Sequence, residues 1–189
     1  MDNKLKIINC LGKNIGKRFT MNELSKITKV PYATFHRTLQ GMKDLVDAET
    51  VGKAKTISLN KGNPAIRAYL TISSDEERKG FMEKHPIIRN IASELDTQDI
   101  VVLFGSYAKG SEKDSSDIDL MIVNKDGKRS ISFSKYELIF DKKINPIFIT
   151  RKEFVGMLND KEENVGKQAL KGHIILNNPD AFWECILHG

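Results

Sequence analysis

The 189-residue chain predicts an α+β fold divided between two unlike units. Three observations carry that expectation. The first third is basic and helical, with a tight turn between two short helices, and a hairpin pattern with lysines at its turn follows it. Further on, two apolar strands flank a Gly-Ser turn and an Asp-x-Asp step. Helix signals precede and follow those strands, so strands and helices share the second unit.

Composition supports a packed core and excludes several classes. Hydrophobic residues make up 40% and charged residues 29%, too apolar for wholesale disorder. No run approaches the ~18 uninterrupted apolar residues of a membrane span. The start, MDNKLKIINCLGKN, holds no apolar run of signal-peptide length, so the expected location is cytoplasmic. Cys10 and Cys185 stand near opposite ends within apolar stretches, which reads as two buried thiols rather than a disulfide framework or a zinc site. The net charge of +5 is unevenly spread. Residues 1–62 hold twelve Lys+Arg against five Asp+Glu, a net of +7, and residues 63–189 carry −2. A basic excess confined to one end points to a nucleic-acid-binding module there.

Within residues 1–62, Leu5, Ile7, Ile8 and Leu11 recur at helical spacing and predict a first helix ending near Gly12. Thr20-Met-Asn-Glu23 is a capping box that starts a second helix, which Val30-Pro31 stops. A third helix from Tyr32 to Asp44 turns Phe35, Leu39 and Met42 inward. Its outer face carries Tyr32, Thr34, His36, Arg37, Gln40 and Lys43. A short helix, a Lys-Val-Pro turn and a polar, cationic helix form the helix-turn-helix pattern. Two strands follow, Leu45–Val51 and Thr56–Leu59, joined by a turn with Lys53 and Lys55. This hairpin resembles the wing of a winged-helix domain. On double-stranded DNA the third helix would enter the major groove, with Arg37 and Gln40 suited to base edges and Lys53 and Lys55 to phosphate. The same fold also serves in protein interaction and dimerisation, and both uses stay open.

Residues 63–97 read as a helical connector. Asn63-Pro64 and Ser74-Asp-Glu-Glu77 are helix-start signals, and His85-Pro86 interrupts the run. The connector shows no chemistry.

Residues 98–189 hold the candidate site. Ile100-Val-Val-Leu-Phe104 is an apolar strand of the kind buried on both faces. It runs into Gly105-Ser106-Tyr-Ala-Lys109-Gly110, a turn opening a short helix, and Asp117-Ile-Asp119-Leu-Met-Ile-Val123 is the next strand. Side chains alternate along a strand with ~3.3 Å of rise per residue, so Asp117 and Asp119 share one side about 7 Å apart. Such carboxylates suit Mg²⁺ or Mn²⁺. The Gly-Ser turn supplies amides and a hydroxyl for phosphate. Together they indicate phosphoryl or nucleotidyl chemistry.

Gly105-Ser106, ten residues, then Asp117-x-Asp119 resembles the motif of the polymerase-beta-type nucleotidyltransferase superfamily, and among its members the minimal prokaryotic enzymes, some fused to winged-helix domains. The resemblance spans Ile100 to Thr150. It implies a mixed sheet flanked by helices and transfer of NMP from a Mg-NTP to an acceptor, with release of pyrophosphate. In that scheme Asp117 and Asp119 hold metal, Gly105 and Ser106 bind the triphosphate, and Lys109 is a further phosphate contact. Related minimal domains act as antitoxins that nucleotidylate a small helical partner protein, so a protein acceptor fits.

One position departs from that pattern. The superfamily usually carries a third carboxylate on a following strand, where this chain reads Ile144-Asn145-Pro146. An amide orients a hydroxyl or ligates as a neutral group, but it accepts no proton at pH 7. Asp141 is the alternative, if the strand begins earlier; otherwise it ends a helix. Two functions therefore stand side by side: a Mg²⁺-dependent nucleotidyltransferase with Asn145 in its catalytic set, and a DNA-binding regulator whose second domain senses a nucleotide or is vestigial. Downstream, Thr150–Glu153 is another capping box, Trp183 reads as a packing anchor, and His173 and His188 lack metal-ligand spacing.

Overall fold

The computed structural model describes residues 1–52 and 54–189, so Lys53 lies outside the described residues. The chain separates into two compact units, Met1–Glu76 and Glu77–Gly189. The expected connector 63–97 has no unit of its own, because the boundary falls within one helix.

In the first unit, apolar residues three and four apart build α1 (Asn3–Lys13), started by Asp2, whose carboxylate accepts from the Leu5 amide at 2.8 Å. After it come β1 (Phe19–Thr20), α2 (Met21–Thr28), α3 (Tyr32–Gln40), β2 (Val46–Val51) and β3 (Ala54–Leu59). The sheet order is β1-β3-β2, antiparallel throughout. Ile7, Ile8, Leu24, Phe35, Met42 and Ile57 are fully buried together as its core. β1 is unforeseen from sequence, since two residues show no alternation, and the pairing of Phe19 with Ile57 and of Thr20 with Thr56 defines it. The third helix ends at Gln40 rather than Asp44. Gly41 follows it, and the chain continues in tight turns that still deliver Met42 and Leu45 to the core. Lys43 therefore stands on a turn, beyond the helix.

α4 (Ile66–Met82) corrects a second expectation. Ser74–Glu77 starts no helix; it lies within α4, where Ser73 and Ser74 are buried. The Ser73 hydroxyl donates back to the Leu70 carbonyl at 2.9 Å, so it is satisfied without a helix end.

The second unit runs α5 (Pro86–Ser93), β4 (Ile100–Phe104), α6 (Gly105–Lys109), β5 (Ile118–Asn124), α7 (Ser134–Phe140), β6 (Ile144–Thr150), α8 (Arg151–Asn159), α9 (Val165–Lys171), β7 (Ile174–Asn177) and α10 (Pro179–His188). The sheet is mixed. Its order is β6-β5-β4-β7, with β4 antiparallel to both neighbours and β5 parallel to β6. All five β4 residues are buried, as a continuous apolar strand requires. Val101, Leu103, Leu120 and Ile122 join Ile88 and Ile91 of α5 and Tyr136 of α7 in one core. The alternate residues Val102, Met121 and Ile175 are buried as well, so the sheet is covered on both faces. Phe154, His173, Phe182 and Trp183 form an aromatic cluster, and Trp183 at 1% exposure is a packing residue. Cys10 and Cys185 are free thiols, of which only Cys185 is buried and Cys10 is half-buried, and desolvation raises the pKa of both. Among the described residues no helix is long and apolar enough to cross a membrane.

Of the three expected capping boxes, Thr20–Glu23 and Thr150–Glu153 form and Ser74–Glu77 does not. Thr150 Oγ1 accepts from the Glu153 amide at 3.1 Å, and Glu153 Oε2 accepts from the Thr150 amide at 2.7 Å. Those bonds hold the Glu153 carboxyl below its ordinary value. A carboxylate lowered in the folded state stabilises the fold above its unfolded value, and that contribution vanishes as pH falls through the folded value. Thr150→Ala is expected to cost about 1 kcal/mol in urea unfolding at pH 7. The deficit should shrink below the carboxylate range, where the wild type loses the same cap; an unchanged deficit at acid pH would contradict the cap's ionic character.

Candidate active site

Strand register assembles the site at one end of the sheet. Phe104, the last residue of β4, pairs with Asp119, and Asp119 pairs in turn with Asn145 of β6. Asp117 immediately precedes β5, two residues from Asp119 and therefore on the same side. The start of β6 is held twice: the Ile118 amide donates to the Lys143 carbonyl at 2.9 Å, and the Ile144 amide donates to Glu137 Oε1 at 2.9 Å. Asn145 thus faces both acids. Its Nδ2 donates to Asp117 Oδ2 at 3.0 Å, with a longer contact to Asp119 Oδ1 at 3.4 Å.

Gly105 is where the chain leaves β4, at φ +73°, in the left-handed region that favours glycine. A Cβ there would also lie 2.2 Å from Asp119 Oδ2. Both the backbone angle and the seat of the carboxylate therefore demand glycine. Ser106 is half-buried, and its hydroxyl has no hydrogen-bond partner among the described residues. Its carbonyl accepts from the Ser111 amide at 3.1 Å, closing the turn after Gly110. Burial, then the charges of Glu112 and Asp114, push the Tyr107 phenol up, so it stays a neutral hydroxyl beneath the turn. Lys109 is exposed, and its stem runs beside Gly172, where a Cβ would meet Lys109 Cε at 3.3 Å. Among the described residues Lys109 forms no ion pair with Asp117 or Asp119.

Asp141 does not join β6. It caps the C-terminus of α7 at φ +47°, on the rim of a cavity of about 410 Å³ that Asp114, Ser116, Asp117, Glu137 and Lys143 also line. Lys143 went unnoticed in the sequence. Its Nζ lies 3.5 Å from Asp117 Oδ2, the oxygen that Asn145 also engages. The only local trace is the Lys142-Lys143 step before β6, which reads as a solvated turn.

A divalent cation would suit this donor set, because two carboxylates supply hard oxygens and the Asn145 amide carries a neutral oxygen of the same class. Among the described residues no three His, Cys, Asp or Glu side chains converge as a metal site. A cation would therefore rest on Asp117 and Asp119, with Asn145 as a neutral third ligand.

The N-terminal candidates divide into two groups. Gln40, Lys43 and Lys55 come together around a groove of about 320 Å³, lined also by Leu39, Val46 and Ile57. Tyr32 and Arg37 are exposed on α3 but do not line it, and Thr34 is half-buried, its carbonyl accepting the Thr38 hydroxyl. Arg18, absent from the sequence-derived set, pairs with Glu49 of β2 at 2.6 Å.

Comparison with known proteins agrees with the second unit's geometry. A Methanocaldococcus jannaschii protein named "Putative protein adenylyltransferase MJ0141" is 35% identical over 97 residues, which cover 45% of this chain and 97% of the relative. No solved structure matches the chain. The family described as polymerase beta, nucleotidyltransferase, matches residues 87–181, half of the chain and nearly all the elements that build the site. The chain belongs to the polymerase beta nucleotidyltransferase family.

Proposed function

We propose that the protein transfers NMP from an NTP, with adenylyl as the first candidate, to an acceptor on a partner protein, using Mg²⁺ or Mn²⁺ at Asp117 and Asp119. The observation that carries this reading is the convergence of Asp117, Asp119 and Asn145 beside the Gly105-Ser106 turn. The relative's name supports a protein acceptor and an adenylyl donor.

Each residue has a distinct task. The Gly105 and Ser106 amides and the free Ser106 hydroxyl receive the triphosphate. Lys109, one helical turn on, adds positive charge on the same side. The acceptor oxygen attacks the α-phosphorus; its new P–O bond forms as the bond to pyrophosphate breaks, and pyrophosphate leaves with the electron pair. Asn145 orients the acceptor but takes no proton, so the hydroxyl proton passes to water, which reaches Asp117 at 39% side-chain exposure. The cation, when bound, supplies charge stabilisation for the phosphoryl oxygens.

We read the N-terminal unit as a winged helix. Its helix-strand-helix-helix-strand-strand order and the exposed Arg37, Gln40 and Lys55 support contact with double-stranded DNA. One observation favours a second reading of the whole chain. Asn145 leaves the pair without a third carboxylate, which suits a DNA-binding regulator that senses a nucleotide without turning it over.

Asp119→Asn is expected to lower label transfer from α-labelled ATP to protein by about 100- to 1,000-fold, with circular dichroism unchanged. Label persisting at the wild-type level would remove Asp119 from the reaction. Gly105→Ala should lose nucleotide binding in calorimetric titration, since the new methyl displaces the Asp119 carboxylate; binding at wild-type strength would show that the turn is not the phosphate seat. For DNA, affinity should fall steeply between 50 and 200 mM salt, and Arg37→Ala and Lys55→Ala should flatten that slope by about one each. No salt-dependent shift on any duplex would leave the N-terminal unit a protein-interaction module. Metal-dependent ATP binding without transfer to any protein would favour the sensor.

A further inference from the structure

The carboxylate pair already has a cation of the protein's own. Lys143 Nζ stands 3.5 Å from Asp117 Oδ2, and the Asn145 amide donates to that same oxygen at 3.0 Å. Asp117 is thus engaged from the β6 side by an ammonium and an amide N–H, both of which attract negative charge where a metal ion would take it. Asp119 differs. Its Oδ2 rests against the Gly105 turn, and only Oδ1 meets Asn145, at a longer distance. Lys143 is 69% exposed on a flexible four-carbon stem, so it is held by charge and not by packing. Its backbone is fixed independently, because its carbonyl accepts the Ile118 amide.

We propose that Lys143 is an internal competitor for the divalent cation, so that Asp117 and Asp119 take the cation up weakly alone and far better together with a triphosphate. The proposal rests on the nucleotidyltransferase reading and adds a loading order to it. Two carboxylates and one ammonium leave a net charge of −1, half of what the pair alone would offer a metal. A triphosphate brings its own negative charge to the Gly105 turn, which strengthens the pull on the cation and offers the ammonium another anion. Lys143 is a positioning residue in this scheme, acting through Asp117.

The test measures Mn²⁺ binding to the full chain by calorimetry, with and without α,β-methylene-ATP, which cannot release pyrophosphate. Lys143→Met should bind Mn²⁺ alone about fivefold more tightly than the wild type, the size expected from removing one exposed ion pair. The ratio of affinities with and without nucleotide should fall by a similar factor. Lys143→Arg, which keeps the charge, should behave as the wild type. Equal Mn²⁺ affinity in wild type and Lys143→Met would overturn the competitor role while leaving the cation reading intact. Absence of Mn²⁺ binding in every protein, nucleotide present, would overturn both.

Discussion

The contact between the Asp119 carboxylate and the Gly105 turn is the constraint on which the catalytic unit depends. It exists because β4 and β5 pair in a single register, with Phe104 opposite Asp119. β4 is buried at every position and β5 at all but one, so a slip by one residue would turn core side chains into the wrong layer and Asp119 away from the turn. Packing of Val101, Leu103, Leu120 and Ile122 against α5 and α7 therefore sets the register that positions the Asp119 carboxylate. Hydrophobic burial supplies the accuracy, and the chemistry inherits it.

What was legible in the sequence followed from locality. The boxes Thr20–Glu23 and Thr150–Glu153 were readable because both partners lie within one helical turn. β4 and β5 were readable because a short, wholly apolar run bounded by polar turns has few other uses. The same local rule misled at Ser74–Glu77, where α4 simply continues and the neighbouring Ser73 bonds within it. β1 was invisible, as its two residues are a strand only through Ile57 and Thr56 of β3. Lys143 was invisible for a related reason: its partner Asp117 lies 26 positions earlier and meets it only through the parallel pairing of β5 with β6.

The charge division has a matching physical sense. The +7 of residues 1–62 already counts Glu49, which Arg18 pairs, and Arg37, Lys43 and Lys55 are exposed members of the excess. The −2 of residues 63–189 is an average over a surface of many small pairs, such as Lys171 with Glu163, whose carboxyl that lysine holds below its ordinary value. Exposed pairs of that sort contribute little to stability. The Asp117–Lys143 pair is of the same exposed kind, and its significance lies in where it stands.

The sheet's topology also explains why position 145 accepts an amide. β6 is an edge strand, and its middle residues are only half-buried, whereas Ile144 and Ile149 near its ends anchor it in the core. Pro146, which has no N–H to donate, is tolerated next to Asn145 because an edge strand leaves one side unpaired. The identity of residue 145 is thus nearly uncoupled from packing. Asp119, on the inner strand against a glycine that admits no side chain, has no such freedom. A carboxylate at 145 would add a third negative charge at hydrogen-bond distance from Asp117, and the amide avoids that repulsion while still bridging the pair. In the proposed reaction Asn145 and Lys143 would act in one direction: the amide adds no third negative charge and the ammonium offsets one of the two present, so the cation would depend less on the protein's carboxylates and more on the phosphates of the nucleotide.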